Sequence, residues 1–154
     1  MLFRSLYVLM PNHFHLSAMQ NTDLPLSVLI TKICTSYSKY FNKKYKRVGS
    51  VFQDQFKAVL IKSNEQLLYL TYYIHNNPIK AGLVNDLNKY PYSSHLDYIG
   101  VRQGTLCKKG LISDQFKSIK DYTNSVMKFN EDDLLLDELK IDIEEKTDGH
   151  HLQL

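Results

Sequence analysis

Pro11-Asn12 sets the first constraint on the fold. It is turn chemistry placed between two short runs that suit extended backbone, Leu6 to Met10 and His13 to Met19. Tyr7 and Val8 strengthen the first run, and together the two predict a β-hairpin at the start of the chain.

The apolar period then changes. Leu26, Leu29, Ile30, Ile33, Tyr37 and Phe41 recur at i, i+3, i+4, i+7, i+11 and i+15, the stripe of an amphipathic helix. Asp23 is its expected N-cap, and it runs into Lys43-Lys44-Tyr45-Lys46-Arg47 and then Gly49. Val51-Phe52-Gln53 and Phe56 to Ile61 read as strands. In the second, apolar residues fall on both faces, which predicts a central or covered strand. Ser63-Asn64-Glu65-Gln66 has the form of a capping box and opens a helix over 64–77. Pro78 is expected to stop it, because proline disfavours helical geometry at the residue before it. Gly82 and Asn85-Asp86-Leu87-Asn88 mark turns, and shorter helices are expected over about 92–99 and 113–128. The acidic segment Glu131 to Glu145 reads as a last helix or a loose tail. The pattern is α+β.

At 154 residues the chain suits one domain with a modest core. Cys34 and Cys107 are far apart, so they suggest packing residues in a reducing compartment and no disulfide framework or zinc knuckle. No apolar run approaches the length of a membrane span, and no signal peptide opens the chain, so the cytoplasm is the expected location. Charge is uneven. Residues 1–80 carry 10 Lys/Arg against 3 Asp/Glu, a balance of +7, while residues 81–154 carry 9 against 13, a balance of −4. The first half therefore has the polarity of a polyanion binder or, more blandly, of a solvated basic face.

Three elements carry chemistry. His13 and His15 alternate around Phe14, so in a strand both imidazoles project from one face and make half of a divalent metal site. His-x-His also arises often by chance. On the helix over 64–77, Leu67, Leu70, Thr71 and Ile74 form the buried stripe, with Tyr69, Tyr73 and Asn77 on the adjoining flank at i, i+4 and i+8. A tyrosine there is usually a half-buried anchor. Asn12, Lys43, Lys44, Lys46, Arg47, Gln53, Lys57 and Lys80, interleaved with Tyr45 and Phe52, supply cations for phosphates and flat faces for unpaired bases.

Taken together, these segments resemble a known family. Met10-Pro11-Asn12-His13-Phe14-His15-Leu16 is similar to the HUH motif of the single-tyrosine transposases. Gly49-Ser50-Val51-Phe52-Gln53-Asp54-Gln55-Phe56-Lys57 resembles their glycine, aromatic-Gln and Phe-Lys segment. Tyr73-Ile74-His75-Asn76-Asn77-Pro78-Ile79-Lys80-Ala81-Gly82-Leu83-Val84 resembles their tyrosine-helix signature, and Tyr90-Pro91-Tyr92-Ser93-Ser94 the block after it. The greatest similarity is to the branch associated with repetitive extragenic palindromes.

The resemblance implies a ferredoxin-like α/β sandwich, an antiparallel sheet with helices on one face. Residues 1–100 would form the catalytic domain and 101–154 a helical C-terminal extension with an acidic tail. The family carries a strand and a helix before its HUH hairpin, whereas here Met1 lies almost on the hairpin. The expected fold therefore lacks those two elements and leaves a sheet edge exposed. The implied chemistry is transesterification. His13, His15 and Asn77 would hold Mg²⁺ or Mn²⁺, and Tyr73 would attack phosphorus to leave a 5′-phosphotyrosine. The motif places its nucleophile four residues before the Asn of Asn-Pro, which selects Tyr73 over Tyr72 and Tyr69. Asn76 is a weaker candidate for a DNA contact, as is Lys80. The implied partners are single-stranded DNA with hairpin ends and a second copy of the chain, in the cytoplasm of a bacterium near its nucleoid. Two other readings compete. One is an inactive remnant that only binds hairpin or single-stranded DNA. The other is a structural protein in which a metal on His13 and His15 serves the fold alone.

Overall fold

The computed structural model describes residues 3–21, 23–53 and 55–129, so the acidic segment Glu131 to Glu145 lies outside the described residues. Among the described residues the fold is α+β, a two-stranded antiparallel sheet with five helices, consistent with part of a ferredoxin-like α/β pattern. The hairpin forms as the turn chemistry dictates, with β1 at Phe3–Leu9 and β2 at Phe14–Met19. Register decides which side chains share a face. Val8 sits opposite His15 and Leu9 opposite Phe14, and directly opposed residues point the same way. His15 therefore shares the face of Val8, which is fully buried, while Phe14 shares the face of the half-exposed Leu9.

Helix α2 (Asn64–Lys80) covers the Val8 face. Its start matches the sequence: Ser63 is the N-cap, and its hydroxyl accepts from the Gln66 amide at 3.1 Å. The Gln66 side chain completes the cap by accepting from the Lys62 amide at 2.7 Å. Its end differs, because the helix runs through Pro78 to Lys80. Proline removes a single donor. The stop is instead a two-bond cap in which Gly82 donates to the Ile79 carbonyl and Leu83 to the Pro78 carbonyl, both at 2.9 Å. Gly82 has φ 67°, a left-handed conformation that favours glycine.

Helix α1 (Leu26–Tyr45) forms over the expected stripe and extends one turn beyond it. Its N-cap is Pro25, not Asp23, and the Leu26 amide is met by the Gln20 side chain at 3.0 Å. Ile30 is the one buried residue in the helix. The strands expected at Val51–Gln53 and Phe56–Ile61 do not form: no strand lies between α1 and α2 among the described residues. An apolar alternation selects extended backbone but cannot supply a partner edge. Two-faced apolar strands also need cover on both sides, and here Leu60 stays 75% and Phe56 41% exposed.

The C-terminal part is shorter in its elements than expected. A 3-10 turn at Leu87–Lys89 precedes α3 (His95–Tyr98), α4 (Gly110–Ser113) and α5 (Ile119–Lys128). Between them, Tyr92 to Ser94 runs along the outer edge of β1. Leu9 donates to the Tyr92 carbonyl and Ser94 to the Tyr7 carbonyl, each at 2.9 Å, and Val8 bridges Ser93. The outer edge of β1 is thus covered by the Tyr-Pro-Tyr-Ser-Ser block, while β2, which carries His15, has no second strand partner among the described residues. One core joins both halves of the chain, with Leu6 and Val8 against Ile74 of α2 and Tyr122 and Val126 of α5. Cys107 is buried and Cys34 partly so, both as free thiols.

Candidate active site

The hairpin and α2 bring together the four residues singled out for chemistry. The His13 and His15 rings are 5.0 Å apart between centroids, edge to face. Asn77 reaches them from α2, its Nδ2 donating to His15 Nε2 in a long contact of 3.5 Å. Tyr73, one turn earlier on α2, sets its ring edge-on to His15 at 5.6 Å. Lys80 Nζ lies 5.8 Å from the centre of the Tyr73 ring. Helical spacing explains the convergence: Tyr73, Asn77 and Lys80 are at i, i+4 and i+7 and share one face.

Electrostatics suit His15 for ligation. Burial, with a smaller contribution from the neighbouring His13 charge, lowers its pKa to about 4. A ring that is neutral at physiological pH keeps a nitrogen lone pair available. His13 is oriented by its neighbour, since Nδ1 donates to Asn12 Oδ1 at 2.7 Å. That hydrogen bond fixes the tautomer and puts the ring's lone pair on Nε2. Asn12 thus acts on His13 directly, a role that its expected DNA contact did not describe. Among the described residues no group of three or more His, Cys, Asp or Glu side chains gathers. The donor set on this face is two imidazoles and an amide.

The competing tyrosines point elsewhere. Tyr72 packs on Phe116 at 6.4 Å and Phe129 at 5.8 Å, toward α5. Burial raises its phenol pKa. Tyr69 is buried and stacks on Tyr73 at 6.3 Å, supporting that ring from behind. Asn76 is committed to packing: its amide donates to the Val126 carbonyl at 2.5 Å. The remaining expected DNA contacts, Lys43, Lys44, Lys46, Arg47, Gln53 and Lys57, are all exposed, most of them at the far end of α1 and the turn after it.

Sequence reasoning missed how α2 is held. His75 is fully buried, and both ring nitrogens are bonded. Nε2 meets Ser94 Oγ at 2.7 Å, and Nδ1 meets the Tyr122 hydroxyl at 2.5 Å. Ser94 Oγ in turn accepts from the Tyr7 amide at 2.9 Å and donates to the Tyr7 carbonyl at 3.0 Å. With the Ser94 proton used there, His75 Nε2 is the donor and the Tyr122 hydroxyl donates to Nδ1. The pKa of His75 is held well below the ordinary value, first by burial and then by His95. This chain fixes the rotation of α2 relative to β1 two residues from both Tyr73 and Asn77. The signal was in the sequence, because Leu67, Thr71 and His75 repeat every four residues along the buried stripe.

The site is thus a pair of histidines on a hairpin facing a tyrosine and an asparagine on one helix. Residues 5–77, just under half of the chain, match the family described as Transposase IS200 like, which supports an IS200-type transposase family for this chain. The matched stretch holds His13, His15, Tyr73 and Asn77, the whole of β2 and α1, and most of α2. No curated protein and no solved structure matches the chain. The match supports a transposase role, with the DNA processing and DNA partner that such a family implies. No helix among the described residues is long and apolar enough to cross a membrane.

Proposed function

We propose that this transposase cuts and rejoins single-stranded DNA with hairpin ends through a 5′-phosphotyrosine on Tyr73. The observation that carries the reading is Tyr73 edge-on to His15 at 5.6 Å while Asn77, one turn along the same helix, touches the same ring. The donors fit a divalent ion. Imidazoles favour Mn²⁺, and an amide oxygen with added waters also suits Mg²⁺. His13, His15 and Asn77 would hold it, with the Asn77 amide turned to present its oxygen. When bound, the ion supplies Lewis-acid polarisation of the scissile phosphate.

The chain's own residues do the rest. The Tyr73 oxygen attacks phosphorus, the bond from phosphorus to the 3′ oxygen breaks, and the 3′ hydroxyl leaves with a proton. The phenol proton passes to solvent. One phosphodiester replaces another, so rejoining needs no outside energy source. Lys80 beside the Tyr73 ring offers a positive charge to the phosphate and to the developing phenolate. A phenol titrates near 10, so that help matters at neutral pH. Asn12 keeps His13 in one tautomer, and Ser94 with Tyr122 keeps α2 in phase. β2 has an outer edge with no strand partner among the described residues, which supports pairing with a second copy of the chain.

The test is adduct formation on denaturing gels, using Mn²⁺ and a labelled single strand carrying a hairpin. Tyr73→Phe should abolish the shifted band, and Tyr72→Phe should retain most of it. His13→Ala should lower it by at least the roughly 10- to 100-fold seen when a metal ligand's orienting partner is lost. An undiminished band in Tyr73→Phe sinks the proposal. Specific DNA binding with no adduct under any of these conditions favours the binding-only reading.

A further inference from the structure

Helix α1 buries little of itself, and its C-terminal half carries an unusual surface. Tyr37, Phe41 and Tyr45 form a ladder at i, i+4 and i+8, with ring centres 5.9 and 4.5 Å apart. Tyr40 joins it at 6.5 Å from Tyr37. Tyr37, Tyr40 and Tyr45 are 47%, 57% and 54% exposed, so these rings are not serving a core. Cations lie on their faces. Lys44 Nζ is 5.6 Å from the Tyr40 ring and 5.4 Å from Tyr45, and the Arg47 guanidinium is 5.6 Å from Phe41. The fold makes this placement deliberate. Lys46 adopts a left-handed φ of 51°, turning the chain back so that Arg47 meets Phe41, and the Asn42 amide holds the return by donating to the Gly49 carbonyl at 2.8 Å. Between Leu24 and Gln53 there are six Lys/Arg and no Asp or Glu.

We propose that this face of α1 is a stacking platform for the unpaired bases of a DNA strand, running from Tyr45 and Tyr40 through Tyr37 to Phe52 and on to the histidine hairpin. Continuity carries the direction. Phe52 touches Tyr37 at 6.0 Å and Phe14 at 6.3 Å, so the row of rings ends on the hairpin, on the face opposite the one His15 shares with Val8. Exposed aromatic faces with interleaved cations match a strand that offers bases and phosphates together. A partner protein would need acidic groups to meet these cations, whereas a nucleic-acid strand brings a phosphate with every base. The N-terminal half of the same helix shows the contrast, exposing the aliphatic Val28 and Ile33. The proposal rests on the nucleic-acid part of the function proposed above and is independent of covalent chemistry at Tyr73.

The experiment uses the full chain and three labelled probes of equal length: an oligo-dT strand, a strand of abasic sites and a duplex, with affinity read by fluorescence anisotropy. Tyr40→Ala and Tyr45→Ala should each weaken oligo-dT binding by roughly 5- to 100-fold, the range for one lost base–aromatic stack. Binding of the abasic strand should be unchanged. Tyr40→Phe and Tyr45→Phe should bind oligo-dT as the parent does, which separates lost stacking from lost hydroxyls or misfolding. Equal weakening on the oligo-dT and abasic strands would mean the rings only position Lys44, and would overturn the platform. So would unchanged binding to all three probes. Unchanged DNA affinity with a shift in oligomeric state by sedimentation would assign the face to a second copy of the chain. Loss of oligo-dT binding in these variants, with no adduct in any form, would leave the platform standing while the Tyr73 chemistry failed.

Discussion

His15 is a histidine kept neutral by its place in the fold. Sitting opposite the buried Val8, it is desolvated, and its pKa falls to about 4. Ion binding at this face should therefore lose little to proton competition at His15 until the pH nears 4, well below the 6.5 of a free imidazole. Following the His15 ring itself by NMR from pH 7 to 4 checks this, and a titration centred near 6.5 would contradict the burial argument at His15. His75 makes a second residue-scale prediction. Replacing it by Ala removes two buried hydrogen bonds and opens a cavity, while Ser94 keeps its bonds to Tyr7 and Tyr122 its contact with His95. The loss should be about 3 kcal/mol, since each lost hydrogen bond costs roughly 1 kcal/mol and the cavity adds to it. A thermal melt lowered by less than a degree or two would show that the network does not hold α2.

At the scale of elements, the parts that the sequence specified were those with local causes. The hairpin followed from Pro11-Asn12, and the start of α2 from Ser63 and Gln66. Tyr73 and Asn77 on one flank followed from helical phase, as did the opposite direction of Tyr72. The misreadings came where a distant partner decides. Phe56 to Ile61 has a strand's alternation and no edge to join, and Asp23 lost the cap of α1 to Pro25, with Gln20 reaching the first amide from further back. The end of α2 was misplaced because Pro78 drew attention from Gly82, whose left-handed φ makes the two-bond cap possible. Gly82→Ala should cost about 1 kcal/mol, the strain of a side chain in that conformation. Ser63→Ala should cost a similar amount, about 1 kcal/mol, by removing the N-cap. Both are read from urea unfolding midpoints, and a Gly82→Ala protein as stable as the parent would remove the cap from the account.

For the whole molecule, the half-buried His15 and the buried His75 and His95 lie on the hairpin, the tyrosine helix and a C-terminal helix, and all three rings are held neutral by desolvation. His15 and His95 have pKa values near 4, and His75 lies well below its ordinary value. Unfolded histidines take up protons near 6.5. Between that pH and about 4 the unfolded chain binds more protons than the folded one, so stability falls as pH falls through this window. His15 and His95 account for roughly 3 kcal/mol each by pH 4, at 1.36 kcal/mol per unit. Urea midpoints at pH 7.5 and pH 5 should differ clearly, and a flat profile would mean the rings are solvated.

The central claim is that Tyr73 carries the DNA, and peptide mapping of the linked species tests it most directly. The protein is incubated with Mn²⁺ and a hairpin-bearing single strand. The DNA is then trimmed by nuclease, the protein digested, and the nucleotide-bearing peptide sequenced by mass spectrometry. The account predicts a nucleotide phosphate on the Tyr73 phenol, within the peptide that also holds His75 and Asn77. The mark on Tyr72 or Tyr69, or on no tyrosine at all, would contradict it.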